Sequence, residues 1–133
     1  MLRIVLDTNV LVGAAYARGS SSARIVEGCL DGRLEPVLSP PLRAEYERIL
    51  PRAIRVGDWR GRHARLLDRA YLTEPASFPR VVASDPSDNI LVATALAGRA
   101  WVIVTNDVHL LEPGDHEGVR ILRPREFVAS CLS

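Results

Sequence analysis

Two unbroken apolar runs, each followed by Asp, Thr and Asn residues, constrain what this chain can fold into. The first is Ile4-Val5-Leu6, followed by Asp7-Thr8-Asn9. The second is Trp101-Val102-Ile103-Val104, followed by Thr105-Asn106-Asp107. A short β-branched run without polar alternation reads as a central strand buried on both faces, as in parallel sheets. Open α/β proteins bind ligands in the crevice beyond the carboxyl edge of such strands. Taken alone, Asp7 has two readings of equal weight. It is either a carboxylate delivered into that crevice or a cap for the helix beginning near Asn9. Further carboxylates converging on the same edge would decide between them.

The rest of the chain alternates helix with strand. Val10–Tyr16 reads as a short helix broken at Arg18-Gly19, and Ser20, Ser21 and Ser22 offer caps for a second, running to about Asp31 and stopped by Gly32. Leu34–Ser39 reads as a strand that Pro36 keeps from a fully paired central place. Ser39-Pro40-Pro41 starts a third helix with the apolar stripe Leu42, Tyr46, Ile49 and Leu50, ended by Pro51. Asp58–Leu72 reads as an amphipathic fourth helix. Trp59, His63, Leu66, Leu67, Ala70 and Tyr71 form one face, and Arg62, Arg65 and Arg69 line the other. Pro75–Pro79 is expected as a loop and Val81-Val82 as at most a short strand. Ser84–Asn89 opens a helix that is apolar nearly all round from Ile90 to Ala97, and so is buried. Gly98 closes it. After the second apolar run, Leu110-Leu111 leads to a turn at Pro113-Gly114, Val119–Leu122 reads as an edge strand, and Pro124 starts a closing helix through Phe127 and Val128. This alternation implies an α/β protein with a mostly parallel sheet and helices on both faces.

The 133 residues suit one domain, residues 1–133, large enough for a real core. A net charge of +1 gives no global pull towards nucleic acid or membrane, although every cationic Lys/Arg position is Arg, which suits phosphate recognition. Cys29 and Cys131 make no disulfide framework, and Cys29 lies on an apolar stripe with Ile25, Val26 and Leu30, as a reduced core thiol would. No apolar run approaches the roughly 18 residues of a membrane span. The chain opens directly into a strand, so no signal peptide and a cytoplasmic location are expected.

The carboxylates carry the functional signal. Glu45 lies three residues from Leu42 and four from Ile49, on or beside a buried stripe. That is costly unless it is paired or binds metal. A salt bridge to Arg43 or Arg48, or an edge position that reaches water, would also satisfy it. Asp85 and Asp88 open the buried helix, where the macrodipole favours acids. Capping accounts for one of them but not readily for both. A parallel sheet would bring Asp7 and Asp107 to one edge, and Glu45 and Asp88 on neighbouring helices could complete four acids, with Asp85 a candidate fifth. Carboxylates this close repel unless some are protonated or a cation lies between them. Mg²⁺ or Mn²⁺ prefers such oxygen ligands, and ion pairs about 3.5–4 Å apart serve phosphodiester displacement. No Ser-His-Asp or Cys-His arrangement and no Gly-rich phosphate loop competes. Arg62, Arg65 and Arg69 read either as an RNA-backbone footprint or as a solvated helix face. His63 reads as a core residue.

These motifs resemble the PIN-domain nucleases, and within them the toxin branch of toxin–antitoxin pairs (VapC-like). The resemblance rests on Val5-Leu-Asp7-Thr8-Asn9-Val10-Leu11, Glu45 within Leu42–Leu50, Asp85-Pro-Ser-Asp88-Asn89, and Val102-Ile-Val-Thr105-Asn106-Asp107 followed by Leu110-Leu111. It continues through Ile121-Leu122 and Pro124-Arg-Glu-Phe127. It implies a three-layer α/β/α sandwich in which Asp7, Glu45, Asp88 and Asp107 hold Mg²⁺ or Mn²⁺, with Thr8, Asn9 and Thr105 in support. It also implies cleavage of single-stranded or loop RNA by metal-activated water, homodimers, and inhibition by a small antitoxin protein. Asn106 stands where the family commonly has Gly. His109 stands where many members have a further Asp, which lowers the charge available to a second ion. Two other readings compete. One is a catalytically inactive module of the same fold that binds RNA or protein. The other is an aspartate-nucleophile phosphatase, weakened because Asn9 occupies the place of that family's acid.

Overall fold

The two apolar runs lie side by side in the middle of the sheet. Ile4, Val5 and Leu6 are at most 1% exposed, and Val102, Ile103 and Val104 are fully buried. In order, the chain forms β1 (Leu2–Leu6), α1 (Thr8–Tyr16), α2 (Ser21–Leu30), β2 (Leu34–Leu38), α3 (Pro40–Ala53), α4 (Trp59–Asp68) and β3 (Tyr71–Leu72). Then come α5 (Pro86–Ala97), β4 (Val102–Val104), α6 (Val108–Leu111), β5 (Asp115–His116), β6 (Val119–Leu122) and α7 (Pro124–Phe127), which runs into a π-helical turn, Val128–Leu132. The computed structural model describes residues 2–75 and 86–132, with the backbone alone at 86–88. Asp85, the side chain of Asp88, and the expected loop and strand over 76–82 lie outside the described residues.

Among the described residues the sheet has the order β3-β2-β1-β4-β6-β5. Every pairing is parallel except β5 with β6. Two close approaches place the helical layers. A Cβ added at Gly28 of α2 would stand 2.9 Å from Leu34 Cδ1, and one added at Gly98, just past α5, would stand 2.3 Å from Val37 Cγ1. Leu34 and Val37 are an odd number of residues apart on β2, so they face opposite sides of the sheet. Hence α2 and α5 cover opposite faces, and the architecture is a three-layer α/β/α sandwich.

Several boundaries differ from the sequence expectation, each for a local reason. The fourth helix stops at Asp68, and Tyr71–Leu72 leave it to pair with Val37 and Leu38 of β2. Tyr71 gains a tertiary partner there, because the Arg3 guanidinium lies 3.7 Å from its ring centroid and is tethered to Glu35 at 2.9 Å. The third helix runs through Pro51 to Ala53. In the last turn a proline forfeits a single helical bond, and Ile54 N–H still donates to Leu50 O at 2.9 Å. Val119–Leu122 is not the edge strand, since the short β5 covers its outer side. The first helix starts two residues early, at Thr8. Pro36 behaves as expected: β3 meets β2 only beyond it, at Val37 and Leu38. No described helix is long and apolar enough to cross a membrane.

Cys29 is fully buried. Burial first, and the Asp31 charge second, push its thiol up to about 12 from an ordinary 9.0. The fold therefore favours the neutral thiol, so this contribution to stability is intact below about pH 9 and is lost as pH rises towards 12. Between pH 8 and 10.5, wild type should lose on the order of 1–2 kcal/mol more stability than Cys29→Ala, read by urea unfolding at both pH values. Gly98→Ala should cost about 1–3 kcal/mol in the same assay, because the β-branched, buried Val37 cannot swing away from the new methyl.

Candidate active site

The chain leaves β1 towards β2 on one side and reaches β4 on the other. The carboxyl ends of β1 and β4 thus flank a topological switch point, where open α/β sheets form their crevices. Asp7 follows the last residue of β1, and Thr105, Asn106 and Asp107 follow β4. The ladder runs one step past each strand end: Asp7 N–H donates to Val104 O and Thr105 N–H to Leu122 O, both at 3.0 Å.

Asp7 occupies the N-cap position of α1 by backbone geometry; its side chain makes no capping hydrogen bond of good geometry, though the Asn9 N–H lies near enough to favour the charged carboxyl. Asp7 Oδ2 accepts from Thr105 Oγ1 at 2.7 Å. Burial raises its carboxyl above the ordinary value. The Thr105 hydroxyl opposes that rise, and the charges of Glu45 and Asp107 add to it. These three acids therefore share one electrostatic environment. Asp107 N–H donates to the same Thr105 Oγ1 at 3.0 Å, and Asp107 Oδ1 accepts from His109 N–H at 2.9 Å, capping α6.

Glu45 approaches from α3. It is 5% exposed, and Thr8, at 2% exposed, donates its hydroxyl to Glu45 Oε2 at 2.7 Å. Neither Arg43 nor Arg48 pairs with it, and Arg43 binds Glu47 on the solvent side at 2.8 Å. Glu45 Oε1 is buried without a hydrogen-bond partner among the described residues. A buried carboxylate oxygen in that state costs free energy until something satisfies it.

Asp88 lies in the first turn of α5, the helix that runs from beyond Ser39 back to Gly98. Gly98, at the far end of α5, precedes the amino end of β4. In the last third of α5, Thr94 shares a 2.6 Å buried hydrogen bond with Ser39, the residue following β2. Asn9 is exposed on α1. Arg62 and Arg65 are exposed on α4 and Arg69 is exposed at its C-cap, and the first of them is engaged with α2. Arg62 forms an ion pair with Glu27, and Arg69 lies near Asp31. His63 is half-buried, with its ring centroid 5.9 Å from that of Tyr46 and 6.0 Å from that of Trp59. A cavity of about 430 Å³ lies between α1, α2, α3 and α4, lined in part by Leu11, Val26, Leu50 and Trp59 and by none of Asp7, Glu45 and Asp107.

Among the described residues, no three Asp, Glu, His or Cys side chains are grouped tightly enough to hold an ion by themselves. The donor chemistry nonetheless fits a hard divalent cation. It consists of carboxylate oxygens alone, one of them buried without a partner, around an acid whose proton affinity the other two raise.

The PIN-domain profile matches residues 3–109, most of the chain. This chain belongs to the PIN-domain family. A segment of 93 residues is 38% identical to a protein of Acidithiobacillus caldus described as sucrose synthase, covering 62% of this PIN-domain chain and 12% of that protein. The chain thus spans about an eighth of that relative's length. Among solved structures, VapBC2 from Rickettsia felis, bound to a DNA fragment from its promoter, superposes with a TM-score of 0.57 at 15% identity. The match covers 90% of this chain and 97% of that one, which establishes a shared fold.

Two buried hydroxyl contacts were not legible in the sequence. Ser39 reads there only as a helix cap, and Tyr46 only as part of an apolar stripe. In the structure Tyr46 is 2% exposed and donates its phenol to Leu6 O at 2.6 Å. Burial, followed by the charge of Asp7, holds that phenol well above its ordinary value, so it remains a donor. For Glu45, replacing Thr8 by Val removes the only donor the described residues supply. Thr8→Val should therefore destabilise the metal-free protein by about 1–3 kcal/mol at pH 7, measured by urea unfolding.

Proposed function

We propose that this PIN domain is a Mg²⁺- or Mn²⁺-dependent endoribonuclease, a phosphodiester hydrolase acting as the toxin of a toxin–antitoxin pair. The reading rests on Thr105 Oγ1, which links the Asp7 carboxylate to the Asp107 backbone at the β1–β4 switch point, and on Glu45, held by Thr8, whose Oε1 is buried without a partner among the described residues. Asp7, Asp88 and Asp107 are the proposed metal ligands. Glu45 is a further ligand or the base that orients the attacking water, and Asp85 is a supporting acid. Mg²⁺ or Mn²⁺ bound there would supply charge neutralisation and a water of lowered pKa.

The protein's own groups prepare that chemistry. Thr105 holds Asp7 Oδ2, and Thr8 holds Glu45 Oε2, so one oxygen of each carboxylate is fixed. The other Glu45 oxygen, Oε1, is the one with capacity to accept a hydrogen bond or a proton. Asn9, exposed at the start of α1, supports the first of these acids. Arg65, which has no ion pair among the described residues, is the first candidate for an RNA phosphate. Arg62 and Arg69 would join it by exchanging the α2 acids for the backbone.

The antitoxin partner, the homodimer and a cytoplasmic location belong to this proposal, as does a single domain over residues 1–133. Family membership supports the nuclease activity, and a fold shared with a VapBC complex supports the protein partner. A mixed pool of structured and single-stranded RNAs tests the reading with wild type and Asp7→Asn, each in Mn²⁺ or EDTA. Cleavage by wild type in Mn²⁺ should fall by roughly a hundredfold or more in EDTA and in the variant. Cutting that survives either change removes the mechanism.

A further inference from the structure

Asp7 is gripped through its neighbours by two consecutive residues of one helix. Glu45 accepts from Thr8, the residue after Asp7, and Tyr46 donates to the carbonyl of Leu6, the residue before it. The Leu6 carbonyl and the Asp7 N–H belong to one rigid peptide plane. Tyr46 of α3 holds its oxygen at 2.6 Å, and Val104 of β4 accepts from its nitrogen at 3.0 Å. Those same two elements lead to the other acids, Glu45 on α3 and Asp107 after β4.

The reason the phenol can reach this oxygen lies in the sheet. The register of β1 with β2 ends at Ile4 and Pro36, so by Leu6 the two strands no longer pair. A buried carbonyl beyond the last ladder bond needs another donor. Tyr46, on the face of α3 turned to the core, supplies it. Phenylalanine would fill the same volume and leave the carbonyl bare.

We infer that Tyr46 is a positioning residue, whose phenol fixes the 6–7 peptide and thereby sets where the Asp7 carboxylate stands relative to Glu45. This rests on the acid site proposed above but concerns a residue outside the ligand set, acting through the backbone. Its phenol bonds the Leu6 carbonyl and not a carboxylate.

The test compares wild type, Tyr46→Phe and Leu66→Ala, the last a buried change on α4 that lowers stability away from the acids. Two quantities are read on the full chain. They are amide hydrogen exchange at Asp7 in metal-free protein and the affinity for Mn²⁺ alone by titration calorimetry. Tyr46→Phe should speed Asp7 exchange and weaken Mn²⁺ binding by about tenfold each. Leu66→Ala should leave Mn²⁺ affinity at the wild-type value and change Asp7 exchange no more than its global stability requires. An exchange rate in Tyr46→Phe equal to wild type, or explained entirely by global stability, would overturn the inference. So would unchanged Mn²⁺ affinity alongside measurable binding by wild type. If wild type binds no Mn²⁺, the metal reading fails separately, and Asp7 exchange alone decides whether the phenol positions this peptide.

Discussion

Like charges at the end of an apolar sheet are the constraint that the rest of the structure answers. Asp7 leaves a strand with no exposed side chain in its last three residues, and Glu45 lies almost wholly out of water. Each carboxylate must be supplied with donors by the fold or be driven to hold its proton. The fold supplies hydroxyls rather than cationic side chains. Threonine 8 serves Glu45 and threonine 105 serves Asp7, each at 2.7 Å. A hydroxyl satisfies one lone pair without neutralising the charge, so the negative potential of the crevice survives. An arginine in the same place would have cancelled it.

The architecture was legible because its signals are local. β-Branched runs at Ile4–Leu6 and Val102–Val104, the largely apolar helix before Gly98, and the Ser39-Pro40-Pro41 start each declare an element within a few residues. Tyr71–Leu72 failed for the opposite reason. Their helical periodicity is genuine, but the partner that outweighs it, Arg3, is a strand away in space and far earlier in sequence. The two-residue β5 carries too little pattern to show, so Val119–Leu122 took on the look of an edge.

The acids followed the same division. Strand ends named Asp7 and Asp107, and helical spacing named Glu45. Their hydrogen-bond partners could not be read, since Thr105 meets Asp7 across 98 positions and Thr8 meets Glu45 across 37. Composition likewise marked the α4 arginines, but it could not show that Arg62 faces Glu27. Sequence pattern reports which side chains are out of place in an apolar setting. It takes the packed chain to report what reconciles them.

The sheet order has a consequence for synthesis. β4 lies between β1 and β6, yet it is made long after β1, α3 and β2. While the chain is still emerging from the ribosome, β1 can pair with β2 and Glu45 can meet Thr8, but the other side of β1 stays an open edge. Thr105 and Asp107 arrive only after β4 has been made. The two sides of the carboxylate crevice therefore cannot come together before β4 lies beside β1.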